Sequence, residues 1–207
     1  MFPRGFKSWC ENAALRQRRN LGLSPIDPLD GWALAKHLGI VVWKVEEVPG
    51  IDPQCLRILL REDPDSWSAA TLRVGDRHAI IMNSAHSKGR QASDLTHEQA
   101  HILLDHTPAR VDVSEDGLLM LNTYNRDQED EAAWLSGCLL LPREALFQIR
   151  QQNLDSPAAA KKYGVSPKML EFRLKITGVD VQLARSQRWQ RPPRRLKSSG
   201  VRTVRDG

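Results

Sequence analysis

No run of apolar residues in this 207-residue chain approaches the ~20 needed to cross a bilayer, so no membrane-spanning helix is expected. Residues 1–19 lack the apolar stretch of a secretion signal. Cysteine is scarce: Cys10, Cys55 and Cys138 are widely spaced and odd in number. That spacing argues against a disulfide framework and for a reducing compartment. Together these absences point to a cytoplasmic protein. No internal repeat is visible, which sets aside solenoids and arrays. What is present is 41% hydrophobic content, enough for one core-bearing domain with or without a small appendage.

Charge is unevenly placed. The chain carries +5 overall, yet residues 181–207 hold eight Arg or Lys and one Asp. The body is therefore slightly acidic and the Arg/Pro-rich tail beyond Gln187 strongly basic, expected to be disordered. A basic tail suggests an anionic partner, with single- or double-stranded DNA the first candidate. Trp189 lies among its arginines and could stack on a base, or equally pack back on the body.

Periodicity divides the rest. Residues 15–20 read as the end of a basic, exposed helix. Asp27-Pro28 offers a cap and first-turn proline for a helix that Gly39 ends, and residues 40–45 follow as a β-branched strand. Residues 56–60 suit another strand. Residues 67–74 and 77–82 form a hairpin around Gly75-Asp76. A helix capped by Asp94 should run through Leu104, and a long connection with a short strand at residues 118–121 leads to a helix from about Asp127 to Leu140. Pro142 stops that helix and opens another. Two short helices follow in residues 156–177, around Gly164-Val165-Ser166-Pro167. The expected class is α+β: a small twisted sheet packed on a helical core, with a C-terminal helical piece. The expected division is 1–150, 151–180 and the tail 181–207.

The chemistry lies in His97-Glu98-Gln99-Ala100-His101. Two histidines four apart on a helix share one face and can grip one cation. Imidazole suits zinc (Zn2+), and an open zinc site takes three protein ligands plus water. Glu98 beside the first histidine is placed to act as general base on that water. A chance His-Glu-x-x-His turns up in roughly one chain in a hundred of this composition, and Leu95, Ile102, Leu103 and Leu104 give the helix an apolar side. The third ligand should come from the helix ending at Leu140. Glu129 and Glu131 lie on nearly opposite sides of it. Glu129 shares a face with the small residues Ala133 and Ser136, and Glu131 with Leu135 and Cys138. The pattern leans to Glu129 and leaves Glu131, Asp127 and Asp130 open; a glutamate that does not bind metal would be a solvated first-turn charge.

These motifs resemble the ImmA/IrrE family of metallopeptidases. The resemblance rests on residues 90–101 around the two histidines, and on Glu129-Asp130-Glu131-Ala132-Ala133 leading to Leu139-Leu140-Leu141-Pro142. It rests also on the hairpin segments Trp67-Ser68-Ala69-Ala70-Thr71 and Ala79-Ile80-Ile81-Met82-Asn83. It spans roughly residues 27–178 and implies a zincin-like core with a thermolysin-like site of two His and one Glu. Glu129 matches the family's metal-binding glutamate. Ala133 stands where the family usually has Asn, which removes a possible group behind the ligands. Residues 160–174 resemble the family's helix-turn-helix-like C-terminal piece, with Met169, Phe172 and Leu174 expected to pack inward. Family membership implies cleavage of a helix-turn-helix (XRE-like) repressor, inducing a stress, mobile-element or phage-defence response. DNA sensed through the basic tail is the expected trigger.

Other residues take lesser roles. His78 and His86 are read as surface or structural, although His86 and Tyr124 could each help hold an oxyanion. His106, five residues after His101, projects from another face and is read as a loop histidine. Cys138 is a core residue, while Cys10 or Cys55 could occupy the open zinc position. Two other functions compete: a nucleic-acid-binding regulator with a non-catalytic zinc, and a peptidase-like toxin of broad specificity. Retention of Glu98 favours the enzyme, because a purely structural site has no use for a base.

Overall fold

The β-branched run after Gly39 and the hairpin that follows it meet in one sheet. The computed structural model describes residues 2–75, 77–106, 111–113, 119–121 and 125–189. Helices α1 (Phe6–Asn20) and α2 (Gly31–His37) lead into strand β1 (Val41–Lys44). Helix α3 (Pro53–Arg57) runs into a π-helical turn at Ile58–Glu62, and the hairpin β2 (Ala69–Val74) and β3 (Arg77–Met82) follows. β3 is central, paired antiparallel with β2 and parallel with β1. Then come helix α4 (Lys88–Leu103) and a separate ribbon of β4 (Val111–Val113) and β5 (Leu119–Leu121). Helices α5 (Arg126–Leu140), α6 (Arg143–Gln151), α7 (Ser156–Tyr163), α8 (Pro167–Thr177) and α9 (Val179–Trp189) close the order. The class is α+β, mostly helical, as the pattern of elements implied. Among the described residues no helix is long and apolar enough to cross a membrane.

The sheet positions α4. Ile80 and Met82 alternate along β3 onto one face, where they pack with Leu95 of α4, Ala35 and Ile40. The neighbouring side of α4 meets α5: Ala100 is buried with Ala132, Leu135 and Leu139, and α1 adds Cys10, Ala13 and Ala14. Two contacts clasp α2 to α4. A methyl group on Gly31 would lie 3.1 Å from Leu95 Cδ2, and Gln99 Nε2 donates to the Gly31 carbonyl at 2.7 Å.

A further core joins the end of α5 to α6, α7 and α8. Leu140, Leu141, Leu146 and Ile149 pack there with Ala160, Tyr163, Leu170 and Leu174, so residues on both sides of position 150 share it. Two fully buried arginines face the C-terminal carbonyls of α5. Arg18 Nη2 donates to the Leu140 carbonyl at 3.4 Å. Arg173 donates twice to the Leu141 carbonyl, at 3.1 and 2.9 Å, and to Glu11 Oε1 at 2.7 Å. Cations belong at this end of a helix, where carbonyls lack partners and the dipole is negative. Burial pulls Arg18 down to about 10, so it stays charged near neutrality.

Gly137 makes room for this arrangement: a Cβ there would sit 2.9 Å from Arg173 Cδ, in the middle of a side chain held at its head. Gly137→Ala should therefore lower stability by about 1–3 kcal/mol, outweighing the ~1 kcal/mol that alanine gains in a helix. A reduced Tm in thermal unfolding is the expected result.

Several local expectations change. Residues 56–60 are helical, not a strand, because Asp52 caps the segment by accepting from Gln54 and Cys55 N–H groups ahead of Pro53. The α2 cap is Asp30, which accepts from Trp32 N–H; Asp27 instead takes the Ser24 N–H. Helix α4 starts at Lys88 behind the Ser87 cap, two turns earlier than Asp94. Arg18 makes α1 less exposed than its charge suggested. Phe172 is 46% exposed rather than packed inward. Residues 190–207, Tyr124 and the side chain of Trp189 lie outside the described residues, and with them most of the tail.

Candidate metal centre

Because α4 is helical through 97–101, His97 and His101 stand one turn apart on the side facing α5. Glu129 comes from the first turn of α5, which Asn125 caps by accepting from Asp127 and Gln128 N–H groups. Ligand atoms of His97, His101 and Glu129 all lie within 4.8 Å of one another. The closest approaches are His97 Nε2 to His101 Nε2 at 3.1 Å, His97 Nε2 to Glu129 Oε2 at 3.1 Å, and His101 Nε2 to Glu129 Oε1 at 3.5 Å. Glu131, Asp127 and Asp130 are outside this cluster.

The donor set fits a metal ion. Two ligands about 2.0–2.1 Å from a tetrahedral ion are roughly 3.3 Å apart, and the observed separations bracket that figure. Two imidazole nitrogens and a carboxylate are borderline donors that suit a transition ion and leave a fourth position free. Burial pushes the His101 imidazole down to about 4, His97 beside it adds to the fall, and Glu129 opposes it. His101 is therefore neutral, the form in which imidazole binds metals.

Glu98 turns to the strand side of α4. Thr71 of β2 donates its hydroxyl to Glu98 Oε2 at 2.5 Å. Burial raises the Glu98 carboxyl above its ordinary range, with the Thr71 hydrogen bond and His97 opposing and Glu129 reinforcing. A carboxylate whose proton affinity is raised is a better acceptor near neutral pH. The Thr71 role was not anticipated; the hairpin register that places Thr71 opposite Ile80 carries no motif.

His106 is the larger correction. It is not a solitary loop residue but reaches back to α4: its Nδ1 lies 3.0 Å from His101 Nδ1 and its Nε2 3.2 Å from Glu131 Oε2. The cause is the helix C-terminus. Asp105 adopts φ 52, the left-handed conformation in which the chain folds back in a Schellman motif. The N–H of Asp105 donates to the Ile102 carbonyl and that of His106 to the His101 carbonyl, at 3.1 and 3.0 Å. Glu131 is accordingly not a simple solvated first-turn charge.

The remaining candidates sit elsewhere. His86 is buried between the Pro64 carbonyl, 3.0 Å away, and Asp94, 3.3 Å away, where it ties the loop before β2 to α4. Cys10 and Cys138 are buried in the core beside Ala132, and burial pushes the Cys10 thiol up to about 12, which makes it inert. Cys55 is exposed on α3. None of the three joins the metal cluster.

A family model described as the IrrE N-terminal-like domain, a peptidase family, matches residues 54–175. No curated protein matches the chain. The matched span runs from α3 to α8 and contains the clustered His97, His101 and Glu129 together with Glu98, Thr71, His106 and Glu131. With more than half of its length matched and a His-His-Glu cluster able to hold a metal at its centre, the chain belongs to the IrrE N-terminal-like family of peptidases.

Proposed function

We propose that this protein is a cytoplasmic zinc endopeptidase that cleaves a helix-turn-helix (XRE-like) transcriptional repressor, inducing a stress, mobile-element or phage-defence response. DNA, single- or double-stranded, is the proposed trigger, acting through the basic tail 181–207. The observation that carries the enzymatic part is the convergence of His97, His101 and Glu129 beside a buried glutamate on the same helix. In this reading those three residues hold zinc and Glu98 is the general base. Zinc, when bound, supplies a Lewis acid that polarises the scissile carbonyl and acidifies water. Glu98 accepts the proton of the attacking water and returns it to the leaving amine. Thr71 holds the carboxylate by one oxygen, which leaves the other for that transfer. The order of the first two turns of α5, Asn125 cap then Glu129, keeps the third ligand rigid against α4.

The test is proteolysis of the helix-turn-helix protein encoded beside this gene, with zinc, with and without single-stranded DNA, alongside Glu98→Gln. A cut that requires Glu98 is the expected result, and faster cutting with DNA would give the tail its sensing role. Bound zinc without any cut would instead favour a nucleic-acid-binding regulator with a non-catalytic metal. Broad cleavage of unrelated proteins such as casein would favour a toxin.

A further inference from the structure

We infer that His106 and Glu131 are positioning residues of the metal centre, holding His101 in the one tautomer that presents Nε2 to the ion. The inference rests on the metal-site reading above.

The argument is one of donors and acceptors. Each neutral imidazole carries one N–H and one lone pair. His101 Nε2 points into the cluster with His97 and Glu129, so metal binding requires its lone pair there and its proton on Nδ1. That proton needs an acceptor, and the atom 3.0 Å from it is His106 Nδ1. If His106 Nδ1 accepts, its own proton sits on Nε2, where Glu131 Oε2 lies 3.2 Å away. A carboxylate can only accept. Glu131 thus fixes the direction of both hydrogen bonds: His106 donates to Glu131, His101 donates to His106, and His101 Nε2 is left bare. The reverse order would aim a donor at Glu129 and exclude the metal.

The pair is also built to stay in place. The His106 side chain is 7% exposed. Its backbone N–H donates to the His101 carbonyl, through the left-handed turn at Asp105. Backbone and side chain of His106 therefore both return to the same residue. Glu131 approaches from α5, two residues beyond the ligand Glu129, so one helix supplies a ligand and the anchor of another ligand. Groups behind a ligating histidine orient it and raise its basicity, and their loss typically weakens metal binding about 10–100-fold.

Zinc affinity of the full chain, titrated against a chromophoric chelator, tests this. Glu129→Ala should lose most binding, as a ligand. His106→Phe, which removes the acceptor, and Glu131→Ala, which removes the anchor, should each weaken binding by about 10–100-fold. His106→Asn should restore most of it, because its side-chain oxygen can stand where Nδ1 stands and accept from His101. In that background Glu131→Ala should have no further effect. Nitrogen-15 spectra of the zinc-loaded parent should show His101 protonated at Nδ1. The Tm of each metal-free variant identifies any simple loss of folding. Zinc affinity unchanged in His106→Phe and Glu131→Ala would overturn the proposal. So would equal losses in His106→Phe and His106→Asn, since that pattern means packing rather than an acceptor. Parent zinc binding that Glu129→Ala leaves intact would remove the metal-site reading itself, a result separate from either.

Discussion

Glu98→Gln is expected to bind metal as tightly as the parent chain and to lose hydrolysis by about 10²–10⁴-fold. The two effects separate because Glu98 is not part of the ligand cluster. Glutamine has nearly the same shape, and its carbonyl can still accept from Thr71, now 2.5 Å from Glu98 Oε2. What it lacks is the ability to take a proton. Burial already disfavours the charge of Glu98, so removing that charge should not weaken the fold. Steady-state cleavage, zinc content and Tm on the same preparations check all three points. Cleavage within tenfold of the parent would remove Glu98 from the role of base.

The second large effect concerns the far end of α5. Arg173→Ala should lower the unfolding free energy by about 3–5 kcal/mol, the range for breaking a buried pair by removing one partner. The loss leaves the Leu141 carbonyl without its donor and Glu11 facing α5 without its cation. Glu11 would keep the Arg143 N–H, at 3.0 Å, and the Cys138 thiol, but no cation. Arg150→Ala is the control. Its partner Asp180 is 55% exposed, and exposed pairs contribute about 0–1 kcal/mol. Urea unfolding of both variants should give a midpoint shift several times larger for Arg173→Ala. Equal shifts would mean that Arg173 is not what secures α8.

The ligand helix was legible because its information is periodic: histidines four apart and an apolar side need only the helix repeat. The small residues on the face of Glu129 leaned toward it without excluding Glu131, Asp127 or Asp130, and it was the family resemblance that singled it out. His106 was not, because helical periodicity carried past the end of α4 sends its side chain away from His101. The return depends on a left-handed residue, and Asp105 stands where glycine is the usual signal. Arg18 and Arg173 were hidden by the general tendency of arginine to be exposed; only the tertiary packing of the α5 terminus makes their burial favourable. The start of α4 was missed because Ser87 precedes a polar first turn without an apolar stripe. Residues 56–60 were misread because a short apolar run suits strand and helix alike, and the Asp52-Pro53 cap decides between them.

The pairing of Glu11 with Arg173 joins positions 162 residues apart, and Arg18 meets the Leu140 carbonyl across 122. Synthesis proceeds from the N-terminus, so α1 leaves the ribosome long before either partner exists. Until then its buried face, Cys10, Ala13, Ala14 and Arg18, can meet Leu29, Leu34 and the Asp27 carbonyl but lacks its partners on α5 and α8. Contacts of such separation slow folding, and they place the last step of assembly after α8 has emerged. The far end of the helix that carries Glu129 is thus closed only once α8 has been made, although its near end already packs on α4.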